Sequence, residues 1–295
     1  MPPAITRRQA VHSALAVLAL SALGAPDQAG AAEIDVGARL AEIEKAVGGR
    51  LGVAILDTKT GDLHGQRLLE RFPLCSTFKL LAAAYVLVRV DDGEEKLHRR
   101  VVFSANDLVE YSPVTEKHAG GEGMTMAEIC AAAITVSDNT AGNLMLASFG
   151  GPEALTKWLR TLGDAATRLD RIEPALNEAT PGDPRDGTTP RAMAYTLQRL
   201  LLGNVLSKKS EGQLVEWLVA NETGNARLRA GLPADWKVGD KTGTGGHGAT
   251  NDVAIVWPPN RPPVIIAAYL ADTEAALDAR NAAIADVGRA AASLF

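Results

Sequence analysis

LGVAILDTKTGDLHGQR, residues 51–67, is the stretch on which the architecture turns. Residues 51–56 are short and mostly apolar, residues 57–62 have turn chemistry, and residues 63–67 form a polar second arm, so the stretch predicts a β-hairpin. A lone hairpin is marginal in water and needs further strands. They are found at the far end of the chain, where residues 237–244, 252–257 and 264–270 read as strands separated by Gly-rich or Pro-rich turns. Between the two ends the periodicity is helical, over residues 77–90, 125–136, 140–149, 152–162, 190–202 and 210–221. A helix at 34–47, stopped by Gly48-Gly49, opens the domain and another at 274–294 closes it. The fold expected is α/β (α+β): an antiparallel sheet built from both chain ends and flanked by helices, with an inserted all-helical domain. The boundaries read as 32–66 and 219–295 for the sheet domain and 67–218 for the helical one. The irregular, proline-containing stretch 168–190 is long for a compact domain, which marks it as functional.

The chain has 295 residues, enough for two domains and a substantial core. With 46% hydrophobic and 22% charged residues it is neither disordered, collagen-like nor a disulfide-stapled miniprotein. A formal charge of −5 leaves no basic excess for nucleic acid or anionic lipid, so no nucleic-acid partner is expected. Residues 1–31 stand apart: Arg7 and Arg8, an uncharged apolar run at 14–23, then the small-residue pattern Ala29-Gly30-Ala31. That is a secretory signal peptide. The paired arginines suit twin-arginine export, although a Sec signal often carries two basic residues as well. No stretch reaches the ~18 apolar residues that span a bilayer, so the processed chain is expected without a membrane anchor, periplasmic or secreted. Cys75 and Cys130 are the two cysteines. They form one bridge if their Cα atoms come close, and otherwise act as two buried free thiols.

Ser76-Thr77-Phe78-Lys79 heads the first long helix of the middle block. Its i, i+3 spacing puts both side chains on one face, so the lysine amine reaches the serine hydroxyl. A serine is a poor nucleophile until a neighbouring base takes its proton, which a desolvated lysine can do. A helix N-terminus also presents free N–H groups where an oxyanion can form. Alone, such a tetrapeptide is commonly an N-cap serine with a surface lysine. Ser137-Asp138-Asn139 closes a helix, and Lys241-Thr242-Gly243 with Thr244 lies on a predicted strand; singly they read as an N-cap cluster and a turn. In this order, 61 and 104 residues apart, the three form a set that chance does not assemble.

With that set the chain resembles the class A serine β-lactamases, over essentially the whole length after the signal. Tyr111-Ser112-Pro113-Val114-Thr115-Glu116-Lys117-His118, Arg229-Ala230-Gly231-Leu232-Pro233-Ala234-Asp235-Trp236 and Glu173-Pro174-Ala175-Leu176-Asn177 are similar to further family segments. The resemblance implies an active site between the sheet and helical domains, where Ser76 attacks the lactam carbonyl while the backbone N–H groups of Ser76 and Thr244 hold the oxyanion. Either Lys79, or Glu173 acting through water, takes the serine proton. Ser137 passes a proton to the departing nitrogen, and Glu173, with Asn177 orienting a water, hydrolyses the acyl-enzyme. Tyr111, Asn139, Arg227, Lys241, Thr242, Gly243 and Thr244 are implied to bind substrate, with Asn139 on its side-chain amide. Lys241, Thr242, Thr244 and Arg227 would hold its carboxylate. No metal or cofactor is implied, and the five histidines form no metal-binding pair. The expectation is a monomeric hydrolase of penicillins and cephalosporins that confers β-lactam resistance. The pairing of Glu173 with Asn177 separates it from a receptor that stays acylated and from a cell-wall transpeptidase.

Some positions depart from the family pattern. Many members place the carboxylate-binding arginine where this chain has Thr250, so the role passes to Arg227, a position used by others. Cys130 and Cys75 each match one half of a bridge known in some members, but the partner positions hold Ala83 and Gly245. Arg171 and Asp186 match a pair that closes the irregular loop, so a salt bridge is expected there.

Overall fold

The computed structural model describes residues 35–295; the signal peptide read at 1–31 lies outside the described residues. The chain opens with α1 (Val36–Val47) and the hairpin β1 (Arg50–Asp57) and β2 (Leu63–Gln66), then β3 (Phe72–Pro73). The middle carries α2 (Phe78–Asp91), β4 (Arg100–Val101), β5 (Met124–Thr125), α3 (Met126–Thr135), α4 (Asn139–Phe149) and α5 (Gly151–Thr161). It continues through β6 (Gly187–Thr188), α6 (Pro190–Leu202), α7 (Lys208–Val219) and the short α8 (Leu228–Gly231). Three strands, β7 (Lys237–Thr244), β8 (Thr250–Trp257) and β9 (Val264–Ala271), precede α9 (Leu277–Ala292).

The hairpin finds its partners as expected. Strand order is β2-β1-β9-β8-β7, every neighbour antiparallel, with β1 paired along its full length to β9 from Arg50 opposite Ala271 to Asp57 opposite Val264. Both faces are covered, so β9 is buried at all eight positions and reads as a continuous apolar run. Alternation still sorts its side chains. Ile265, Ala267 and Tyr269 join the core shared with the helices of the middle block, while Val264, Ile266, Ala268 and Leu270 pack with α1, α8 and α9. α1 contributes Val36, Leu40 and Ile43 to that second core, its first turn capped by Asp35, whose side chain accepts from Ala38 N at 3.1 Å. Full burial of an aliphatic side chain such as Leu40 is worth about 1.5–3 kcal/mol.

The middle block is not purely helical. β3 pairs with β6 and β4 with β5, each over two residues, too short for a periodicity to register. Thr125 caps α3 in a reciprocal box with Glu128, and Asp138 caps α4 by accepting from Ala141 N at 2.8 Å. The described residues, 35–295, form one compact unit. Among the described residues no helix is long and apolar enough to cross a membrane.

Candidate active site

β7 is an edge strand, paired on one side only, so its other edge is free to meet a substrate. Its side chains alternate. Lys241 reaches Ser137 from one face, while Asp240, Thr242 and Thr244 make their contacts with Asn221, Thr223 and Arg227 on the other. A Cβ on Gly243 would sit 2.9 Å from Leu74 O and 3.2 Å from Ser76 N, and one on Gly245 would sit 2.6 Å from Asn177 O. Glycine at both places lets the strand lie flush against the turn carrying Ser76 and the loop carrying Asn177.

Ser76 sits in a single 3-10 turn, Cys75–Thr77, that leads straight into α2, and one helical turn on is Lys79. The Lys79 amine is wholly buried and donates to Ser76 Oγ at 2.9 Å, Ser137 O at 2.8 Å and Asn139 Oδ1 at 2.6 Å. It also lies 3.0 Å from Glu173 Oε1, an ion pair with neither side chain exposed. Ser76 Oγ is 3.3 Å from that same Oε1, and Asn177 Nδ2 donates to Oε2. One carboxylate oxygen therefore faces the serine and the other faces Asn177. Burial pulls the Lys79 amine below the usual lysine range, with the Glu173 carboxylate opposing it. Burial, and then the neighbouring Lys79 charge, push Lys241 much further down. Lys241 donates to Ser137 Oγ at 3.0 Å, so the Ser137 hydroxyl is flanked by two amines, with Lys79 Nζ at 3.4 Å.

The structure brings Ser76, Lys79, Ser137, Asn139, Glu173, Asn177 and Lys241 into one polar cluster. Thr242, Gly243 and Thr244 border it along β7. Tyr111 is 58% exposed, and its carbonyl accepts from Asn139 N at 3.0 Å. Asn139 also donates from Nδ2 to Glu110 O at 2.9 Å, which leaves one amide hydrogen free. Arg227 is 6% exposed, a buried guanidinium. It donates to Gly243 O, Asn251 O, Thr244 Oγ1 and Asn281 Oδ1 at 2.6–3.0 Å, leaving one N–H on Nη2 beside Thr244. The salt bridge expected in the irregular loop is present, Arg171 Nε to Asp186 Oδ2 at 2.5 Å, and Asp186 also accepts the N–H groups of Asp170 and Arg171.

Further contributors emerge only in three dimensions. Asn143 on α4 clasps the Glu173 backbone, accepting its N–H at 2.9 Å and donating to its carbonyl at 3.0 Å. Its signal is faint: a polar residue one turn after Asn139. Asp138 accepts from Val114 N, Thr115 N and Thr115 Oγ1, tying the Ser137 turn to the segment after Tyr111. Cys75, Tyr111 and Ser137 have positive φ of 44°, 62° and 62°, a costly conformation for side-chain-bearing residues that recurs at functional sites. A cavity of about 420 Å³, bounded by Arg71, Phe72, Arg171, Leu176, Asp183 and Arg185, is lined by none of the expected catalytic or substrate-binding residues.

Both cysteines are buried and free. Burial pushes the Cys75 thiol up to about 12 and raises Cys130 as well, so neither supplies thiolate near neutrality. Native protein treated with iodoacetamide at about pH 8 is expected to gain no mass, and denatured protein two carbamidomethyl groups. Modification of the native state would show that a thiol is open to solvent.

A serine flanked by a buried lysine and a carboxylate, set against a free strand edge, defines an acyl-transfer enzyme of the serine-nucleophile class. The model of the β-lactamase enzyme family matches residues 35–295. β-Lactamase CTX-M-8 of Citrobacter amalonaticus is 49% identical over 251 residues, covering 85% of this chain and 86% of the relative. β-Lactamase Toho-1 of Escherichia coli is 49% identical over 243 residues, 82% and 83% of the two chains. The structure of an ancestral class A β-lactamase superposes with a TM-score of 0.87 at 63% identity, covering 88% of this chain and all of that one. A putative class A β-lactamase of Rhodopseudomonas palustris gives 0.87 at 57% identity, over 88% and 99%. The chain belongs to the β-lactamase enzyme family, as a class A serine β-lactamase.

Proposed function

We propose that the protein hydrolyses the lactam amide of penicillins and cephalosporins through an acyl-enzyme on Ser76. The observation carrying this reading is the Glu173 carboxylate, with one oxygen near Ser76 Oγ and the other held by Asn177. Ser76 Oγ attacks the lactam carbonyl, its proton leaving to Lys79 directly or to Glu173 through a water. The oxyanion rests on the N–H groups of Ser76 and Thr244, where preorganised donors are worth roughly 3–4 kcal/mol each. As the carbon–nitrogen bond breaks, Ser137 donates its proton to the nitrogen and is reprotonated from a flanking amine. Glu173 then deprotonates a water oriented by Asn177, and that water cleaves the ester and regenerates Ser76. The free amide hydrogen of Asn139 suits the substrate's side-chain carbonyl, and Tyr111 stands at the entrance. Lys241, Thr242, Gly243, Thr244 and Arg227 form the end that grips its carboxylate.

The reading extends to organisation and place. A sheet domain of residues 32–66 and 219–295 and a helical domain of 67–218 would meet at the site. Residues 1–31 would direct export by the twin-arginine or Sec route to the periplasm or beyond, where the protein would act as a monomer. Purified protein mixed with a panel of β-lactams is expected to lose the lactam ring absorbance catalytically. A stoichiometric loss followed by a lasting adduct would instead define a receptor that stays acylated.

Arg227→Ala is expected to lower kcat/KM about ten- to a hundredfold on both a penicillin and a cephalosporin, the equivalent of a charge-assisted hydrogen bond of ~1.5–3 kcal/mol. Unchanged efficiency on both would assign the carboxylate to Lys241 and the threonines alone.

A further inference from the structure

Beneath the substrate-binding strand lie two carboxylates with no part in the chemistry above. Asp240 on β7 and Asp252 on β8 are both 0% exposed. The register sets Asp252 opposite Thr242 and Asp240 opposite Ala254, so both are placed on the face of the sheet turned away from Lys241. That register makes them diagonal neighbours on one face, and burial, then the Asp240 charge, push the Asp252 carboxyl well above the usual carboxylate range. Asp240 is well supplied with donors: Asn221 Nδ2 at 2.6 Å on one oxygen and the Arg229 guanidinium on the other. Asp252 is not. Its Oδ2 accepts from Leu228 N at 3.1 Å, and its Oδ1 has no donor at all.

Two ionised carboxylates are both acceptors and cannot hydrogen-bond, whereas a carboxylic acid can donate to a carboxylate. A buried oxygen left without a donor is costly, and like charges this close cannot both persist. We propose that Asp240 and Asp252 share one proton, carried on Asp252 and donated from Oδ1 to Asp240, and that this neutral acid positions the carboxylate-binding end of the site. Burial and then the Asp240 charge oppose ionisation of Asp252, and Arg227 favours it; Lys241 of β7 and Tyr269 of β9 are its neighbours across the sheet, Arg229 of α8 is engaged by Asp240, and Arg280 of α9 stands beside Arg227.

Two chains of contacts lead from the pair to the substrate strand. Asp252 Oδ2 holds the N–H of Leu228, the first residue of α8, and so fixes the preceding Arg227 with its bond to Thr244. Asp240 holds Asn221, whose Oδ1 accepts from Thr223, and the Thr223 hydroxyl lies 2.5 Å from that of Thr242. The positioning role rests on the carboxylate grip proposed above; the shared proton does not.

The test compares the parent enzyme with Asp252→Asn and Asp252→Ala. An amide reproduces both bonds of the neutral acid, so Asp252→Asn is expected to keep kcat and KM within about threefold, while Asp252→Ala raises KM roughly tenfold with little change in kcat. The second readout needs no substrate. Above the ordinary carboxylate pKa the folded parent holds a proton that the unfolded chain has lost, so its unfolding constant gains up to tenfold for each unit of rising pH from this pair. Asp252→Asn lacks that proton, and its stability is expected to fall less steeply between about pH 5 and 8. Equal slopes in parent and Asp252→Asn would overturn the shared proton, whether or not the alanine variant folds. Equal slopes are a failure of this proposal alone. Loss of the slope with unchanged KM in Asp252→Ala would overturn the positioning role and leave the proton in place.

Discussion

Ser76→Ala is expected to remove turnover by about 10⁶-fold, the scale seen when a serine hydrolase loses a nucleophile that works as a unit with its base. The fold should survive. Ser76 is 8% exposed and its hydroxyl is one of several acceptors for the Lys79 amine, which keeps Ser137 O, Asn139 Oδ1 and Glu173. The small volume change leaves the 3-10 turn and α2 intact, so the melting temperature should move by no more than about 2–4 °C, the equivalent of ~1 kcal/mol in a chain of this size. Intact-protein mass spectrometry after mixing with a penicillin should show an adduct of one opened lactam on the parent and none on the variant. An adduct that persisted on Ser76→Ala would move the nucleophile elsewhere.

How much of this could be read in the residues follows from which forces leave a local pattern. Burial does, so the hairpin at 51–67, the late strands and the long helices sit within a few residues of their periodicities. The strand pairs β3–β6 and β4–β5 and the four-residue α8 do not, because about one period is too little for a repeat to show. Motif spacing exposed the polar cluster because its lysines and serines fall on helix and strand positions that face one another. What supports the cluster stayed hidden. Asn143 meets Glu173 across 30 positions and Asp252 meets Leu228 across 24, and nothing in a hydrophobic period marks such long-range polar partners. The positive φ angles of Cys75, Tyr111 and Ser137 were equally unannounced, because none of them is a residue that favours that conformation. Arg227 shows the reverse case: its identity was legible and its burial was not, since the four acceptors that hold it come from three separate segments.

Glu173→Ala is expected to separate the two halves of the reaction. Deacylation loses its general base and should slow by about 10²–10⁴-fold. Acylation should suffer less, and the reason lies in Lys79. In the parent, burial pulls that amine below the usual lysine range while Glu173, 3.0 Å away, opposes the pull. Removing the carboxylate removes the opposition, so the amine falls further and is neutral over more of the pH range, able to take the Ser76 proton at 2.9 Å. The acid limb of the acylation rate should accordingly move to lower pH in the variant. Stopped-flow mixing with a penicillin should show a burst of one equivalent, then slow turnover, with the acyl-enzyme accumulating in the mass spectrum. Burst and steady-state rates that fall in parallel would mean that Glu173 serves both steps equally, and that Lys79 without its carboxylate cannot act as the acylation base.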